Sequence, residues 1–301
     1  MERKAFGQNY FLNTRYPIIV YRVRTPEQAN TSGPALDYSE KKHGHDFSEL
    51  VIVTQGTGVH WVEGMEFNTV GGDVFLIQGM QQHYFKQRKD LVFFNIMFKP
   101  EVLPLPLDQF ENIPGYHAIF YLEPAYRKKH HFNSHLHLDI AGLEMVSQIA
   151  WRMWSETKQR HPGMEAALLG DLIVLIVTLS RLYSASAQTP QSHALLRIAN
   201  VIGKIEHAYS SNWTLDELAL LTGMSKANLH KAFKDTTGKS PIDYVIQVRL
   251  KHAKTLLSHS ALSITEIAFQ VGLNDSNYFT RLFKQSFGMT PSSYRKQLKQ
   301  S

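Results

Sequence analysis

One pattern in the C-terminal third of this chain is written twice, and few folds accommodate that. Leu215, Leu218 and Ala219 precede Gly223, after which Leu229 and Phe233 precede Gly238, Pro241 and Tyr244. In the second copy Ile264, Ile267 and Ala268 precede Gly272, and Phe279 and Phe283 precede Gly288, Pro291 and Tyr294. The copies are offset by 49 residues before the central glycine and by 50 after it, which predicts one inserted residue at the second turn, Asn274 or Asp275. Apolar residues at i, i+3, i+4 and i+7 give each leading helix one buried stripe. Thr214 with Glu217, and Ser263 with Glu266, have the spacing at which a hydroxyl and a carboxylate satisfy opposing backbone donors at a helix start. Gly223 and Gly272 then supply the left-handed conformation that ends a helix and turns the chain. Two helix-turn-helix units in tandem are the expected result. Their second helices carry polar faces, with Lys226, Asn228, His230, Lys231 and Lys234 on one and Ser276, Asn277, Thr280, Arg281 and Lys284 on the other.

On these residues the segment 195–299 resembles the DNA-binding domain of the AraC/XylS family of bacterial transcription regulators, whose signature is matched from Ala268 to Pro291 without a gap. The resemblance implies two recognition helices in successive major grooves of double-stranded DNA, held apart by a long helix expected over Ile242 to Ser258. At about 1.5 Å per residue that helix spans roughly 26 Å, the order needed to bridge sites one DNA turn of about 34 Å apart. The implied DNA contacts are Lys226, Asn228, His230 and Lys231 in the first unit and Ser276, Asn277, Thr280 and Arg281 in the second. RNA polymerase is the implied protein partner.

Charge supports the assignment without reference to any family. Residues 193–301 hold 14 Lys and Arg against 7 Asp and Glu, net +7, whereas residues 1–192 hold 18 against 19, net −1. The whole excess of +6 lies where phosphates would be neutralised.

The rest of the chain is organised differently, and its length suffices for a second core. Ser184 to Ser192 has linker composition, so the expected domains are 1–183 and 193–301 with 184–192 between them. Over residues 16–98, short β-branched and aromatic runs alternate with the glycine segments Gln55-Gly56-Thr57-Gly58, Glu63-Gly64 and Gly71-Gly72-Asp73, the pattern of turns in a small antiparallel barrel. Residues 138–183 read as two amphipathic helices split by His161-Pro162-Gly163, the first placing Ile140, Leu143, Ile149 and Met153 near one face. In the family's sugar regulators this region forms the dimer interface, so a homodimer is expected. The predicted fold class is α+β in two domains: an N-terminal cupin-like β-barrel with accessory dimerisation helices, then an all-α double helix-turn-helix domain.

Within the barrel segment, His43-Gly44-His45-Asp46-Phe47-Ser48-Glu49 followed by Gly56 resembles the first metal motif of cupins, with His83 standing where the second motif supplies its histidine. Two or three imidazoles and a carboxylate suit iron, zinc, manganese or nickel. A fully extended chain would hold His45 and Glu49 about 13 Å apart, so such a site requires a turn near Asp46 or Ser48. The second motif departs from pattern at Gln78, Met80 and Gln87. The expectation is therefore no metal and no cofactor, with His43, His45, Glu49 and His83 left as the alternative metal site and simple exposure of the two leading histidines as another. The barrel segment also resembles the effector domains of the family's arabinose and, more closely, rhamnose regulators. By that resemblance His43, His45, Glu49, His83, Tyr84 and Asn95 form the effector site, with Phe93 or Trp61 offering a face to a sugar ring.

The chain contains no cysteine, which excludes disulfides, thiolate metal sites and the family's alkyl-transfer repair chemistry. With no N-terminal apolar stretch and no unbroken apolar run of about 18 residues, neither export nor membrane insertion is expected, and the cytoplasm is the expected location. The reading is a sequence-specific DNA-binding regulator, not an enzyme, that activates sugar uptake or catabolism genes in response to a monosaccharide. The alternatives are a metal-dependent cupin enzyme fused to a DNA-binding module and a regulator controlled by a protein partner.

Overall fold

The computed structural model describes residues 3–5, 7, 10–24, 40–110, 112–122, 136–186 and 190–298. They divide into two compact units, Met1–Leu196 and Arg197–Ser301.

In the first unit the strands are β1 (Arg3–Ala5), β2 (Ile18–Arg24), β3 (His43–His45), β4 (Ser48–Val62), β5 (Met65–Val70), β6 (Asp73–Gln78), β7 (His83–Phe98) and β8 (Leu136–His137). β4 and β7 form the spine and pair antiparallel from Ser48 opposite Phe98 to Val62 opposite His83. Their first half carries β2 beside β7 and β6 beside β4, whereas their second half carries β3 beside His83 and β5 beside Thr57 to Val62. Between the halves the β4–β7 register shifts repeatedly from Val53 to Val59. Bulges of this kind bend a strand and raise its twist, folding one long ribbon back over its own face. The enclosed core joins Val51, Val53, Phe75 and Phe93 of the first half to Val62, Phe67 and Phe85 of the second. The segment Gln55 to Gly58, expected as a turn, is thus the bulged middle of β4; Glu63-Gly64 and Gly71-Gly72 do turn the chain.

Two helices follow, α1 (Ile140–Gln159) and α2 (Met164–Ser186). The Asp139 side chain caps α1 by accepting from the Gly142 amide. Its buried stripe is Gly142, Val146, Ile149, Ala150 and Met153. Ile140, expected on that stripe, is 88 % exposed because the first helical residue precedes the turns that rest on β2. The 23-residue α2 contains an 18-residue window of mean hydropathy 1.8, so it is apolar and long enough to cross a membrane by length and composition alone, a test that a core helix also passes. An unbroken apolar run is too strict a criterion, since Asp171 interrupts the window while pairing with Arg152 of α1 at 2.5 Å. Leu168, Leu172, Leu175, Ile176 and Leu179 bury one face of α2, and the helix packs against α1 and β2.

Residues 184–192 do not form the expected linker where they are described. α2 continues through Ser186, and α3 (Pro190–His207) starts at a proline, a residue that the first helical turn tolerates; residues 187–189 lie outside the described residues. The division between units falls instead at Leu196 and Arg197.

The second unit consists of α4 (Leu215–Thr222), α5 (Lys226–Thr237), α6 (Pro241–His259), α7 (Ile264–Gln270), α8 (Ser276–Phe287) and α9 (Pro291–Leu298), entered by the end of α3. Complete capping boxes start α4 at Thr214 and α7 at Ser263. Ser225 and Asp275 are the equivalent caps of α5 and α8, which identifies Asn274 as the inserted residue of the second turn. Leu218, Leu229 and Phe233 are buried in the first pair, Ile267, Phe279 and Phe283 in the second, and α6 packs against both pairs. The 19 residues of α6 span about 28 Å at the helical rise.

Candidate functional site

Among the described residues two surfaces carry chemistry, one in each unit. In the second unit α5 and α8 are amphipathic helices whose apolar stripes are consumed by packing on their partners, so polar side chains remain outward. Lys226, Asn228, His230 and Lys231 are exposed on α5; Asn277 and Arg281 are exposed on α8. Ser276 and Thr280 are half-buried, and the Thr280 hydroxyl donates to the Ser276 carbonyl at 2.8 Å. Lys226 pairs with Asp216 at 2.6 Å, and the Arg281 guanidinium lies over the Tyr278 ring at 5.3 Å. Tyr278, exposed on the same face, was not among the sequence candidates although it stands at the repeat position equivalent to Asn228. What the face offers is hydrogen-bond donors and positive charge on two helices of identical construction.

A second arrangement lies inside the folded sheet of the first unit. His43 and His45 are the ends of β3, Glu49 is the second residue of β4, and His83 opens β7 opposite His43. Bends at Asp46 and Phe47 break the extended chain between His45 and Glu49, bringing His45 Nε2 to 3.2 Å from Glu49 Oε2. His83 Nε2 lies 3.8 Å from the same oxygen. All four residues are buried. His60 joins them, with its Nε2 at 3.5 Å from His83 Nδ1 and its ring stacked on Phe85. Sequence reasoning missed His60 because Val59 and Trp61 are as apolar as Gly58 and Val62, leaving strand alternation without a preferred face.

Burial pushes the His83 imidazole well below its ordinary range, and the neighbouring His43, His45 and His60 add to the effect. His43 is also lowered, again chiefly by burial, with Glu49 opposing. His83 and His43 therefore favour the neutral imidazole, which is the form that ligates metals and accepts hydrogen bonds.

Asn95 is 1 % exposed in β7, in one cross-strand row with Tyr21 and Val51, and its Oδ1 has no hydrogen-bond partner among the described residues. It borders a cavity with His43, Glu49, His83, Arg88 and Phe93. The enclosed space is about 10 Å3, roughly that of one water molecule. Tyr84 also borders it, but successive strand residues face opposite sides, and the Tyr84 ring packs on Trp61 at 5.4 Å, with Lys42 over Trp61. Of the two stacking faces expected for a sugar, Phe93 lies at the cavity and Trp61 on the other face of the sheet.

Among known proteins, residues 31–173 match the AraC-like ligand binding domain and residues 218–297 match a helix-turn-helix domain. The chain is 32 % identical over 257 residues to the HTH-type transcriptional activator RhaR of Escherichia coli K12, covering 84 % of this chain and 86 % of that one. The corresponding activator of Shigella dysenteriae serotype 1 is 33 % identical over the same shares. Among solved structures, the C-terminal domain of the response regulator yesN from Fusobacterium nucleatum is 38 % identical over 32 % of this chain and 93 % of that one, with a TM-score of 0.31. Apo ToxT of Vibrio cholerae aligns over 95 % of this chain and 98 % of its own at 12 % identity, with a TM-score of 0.34.

Proposed function

The chain belongs to the AraC family of DNA-binding transcription regulators, and we propose that it is a sugar-responsive activator within it. Its relatives are transcription regulators and not enzymes. The observation that carries the sugar reading is Asn95: a buried amide oxygen without a hydrogen-bond partner among the described residues, facing a cavity bordered by imidazoles and the Phe93 ring, suits a hydroxyl-bearing ligand. The effector contacts are His43, His45, Glu49, His83 and Asn95; Tyr84, the sixth expected contact, is left out because its ring packs on Trp61 across the strand from His83. One water's worth of space does not hold a sugar ring, so the side chains around the cavity must rearrange when the ligand enters. An effector that binds one arrangement and not the other is what shifts a conformational equilibrium.

The DNA contacts are Lys226, Asn228, His230 and Lys231 in the first unit of the repeat and Ser276, Asn277, Thr280 and Arg281 in the second. RNA polymerase is the protein partner and the cytoplasm the location. Dimerisation runs through α1 and α2, where Met145 and Val174 leave apolar surface exposed.

Calorimetry of the full chain against deoxyhexoses and pentoses tests the effector, together with a reporter driven by the operator. One sugar should bind, and Asn95→Ala should abolish the sugar-dependent increase in transcription. A chain that binds none of them, or an Asn95→Ala response equal to wild type, refutes the reading.

A further inference from the structure

We propose that His45, Glu49 and His83 form a binding site for one divalent transition-metal ion inside the N-terminal unit. Their ligand atoms lie within 4.8 Å of one another and all three side chains are buried. Donors about 2.1 Å from a common ion stand about 3.0–3.4 Å apart at tetrahedral or octahedral angles. His45 Nε2 and Glu49 Oε2 are already separated by 3.2 Å, and His83 Nε2 lies 3.8 Å from the same oxygen, with all three ligand atoms within 4.8 Å of one another.

The hydrogen bonding around the cluster points the same way. His45 Nδ1 lies 2.8 Å from the Phe47 carbonyl, an oxygen that only accepts, so the imidazole proton sits on Nδ1. In the neutral ring the Nε2 lone pair then faces a carboxylate oxygen, with two acceptors in contact and nothing between them. Among the described residues neither atom has a hydrogen-bond partner, and nor does His83 Nε2. A buried imidazole lone pair held against a carboxylate oxygen without a donor is costly, and a cation between His45 Nε2 and Glu49 Oε2, with His83 Nε2 as a third ligand, satisfies both. Supporting contacts are also in place. His83 Nδ1 is turned to His60 Nε2 at 3.5 Å, as a ligating imidazole turns its second nitrogen to an outer partner, and the Phe47 carbonyl does the same for His45.

Two imidazoles and one carboxylate, with no thiolate in the chain, select Fe, Mn, Co, Ni or Zn over Ca and Mg. The adjoining cavity has room for a water molecule as a further ligand. These ligands are also three of the proposed effector contacts, but the ion is titrated without sugar, so either proposal can fail without the other.

The test uses the full chain, freed of metal by a chelator and confirmed folded by circular dichroism, then titrated with Co2+ and competed with Zn2+. The expected result is one Co2+ per chain with ligand-field absorption of a nitrogen and oxygen site, displaced by Zn2+. Glu49→Gln and His45→Ala should each weaken binding by about tenfold or more. Should either variant fail to fold, the wild-type spectrum and stoichiometry still decide. A folded wild-type chain that gives no ligand-field bands, or a folded variant whose bands and affinity match wild type, overturns the proposal and leaves a protonated histidine beside Glu49 as the alternative.

Discussion

Gly223 and Gly272 occupy the same position in the two halves of the repeat, yet replacing each by alanine should have unequal consequences. Both adopt the left-handed conformation, with φ of +63° and +81°. Alanine there costs about 1–2 kcal/mol through contact of its Cβ with the backbone. At Gly223 that is the whole cost, since a Cβ would meet nothing within 4 Å. At Gly272 a Cβ would stand 2.4 Å from the Ser210 carbonyl oxygen and 2.9 Å from that residue's carbonyl carbon and Cα. The Ser210 loop cannot easily withdraw, because the buried Arg249 donates to the Tyr209 carbonyl at 2.8 Å and to the Ser211 carbonyl at 2.7 Å. Forced overpacking of this kind adds about 1–3 kcal/mol. The expected losses are therefore about 1–2 kcal/mol for Gly223→Ala and about 2–5 kcal/mol for Gly272→Ala. For a unit of this size each kcal/mol lowers the melting temperature by about 4–8 °C. Urea titration of the full chain, read by hydrogen exchange of peptides from α5 and α8, isolates this unit from the other. Equal losses for the two variants, or a milder Gly272→Ala, would show that the loop yields and that the close approach does not hold the second turn in place.

Lys231 and Arg281, also equivalent in the repeat and both exposed, should each cost about 1–3 kcal/mol of operator discrimination when changed to alanine, with circular dichroism unchanged; footprints identical to wild type would remove these helices from base readout. Each monomer should protect two major-groove segments about one turn apart, with affinity falling steeply as salt rises; protection of a single segment would leave one unit without a role in binding. Glu206, whose carboxyl is raised above its ordinary value chiefly by burial while the Tyr244 hydroxyl at 3.0 Å opposes, favours the protonated form in the fold. Its contribution is thus fully present below pH 4.5 and lost as pH rises through the raised value, so Glu206→Gln should stabilise the second unit at pH 7 relative to wild type and lose that advantage near pH 4, as measured by thermal melting. An advantage that persists at pH 4 would assign the effect to something other than ionisation.

Short-range signals made the C-terminal unit readable from the chain alone. Helix period, capping boxes at Thr214 and Ser263, and glycines at turns each act within one or two turns of backbone, and the repeat states them twice. The His43 to Glu49 motif was legible in the same way, as was the need for a turn inside it. Other features depended on partners distant in sequence. That Gln55 to Gly58 bulges instead of turning is set by pairing with β7, some thirty residues away. His60 joins His83 only because the register of β4 on β7 places His60 opposite Phe85. Tyr84 is a partial exception, since adjacent strand residues face opposite sides and could have been separated from His83 on that ground alone. Gly223 and Gly272 mark the limit most directly. The sequence makes them equivalent, and only the loop at Ser210, carried against one of them by Arg249, makes them different; local conformation is a property of neighbouring residues, but space is allotted by whatever packs there.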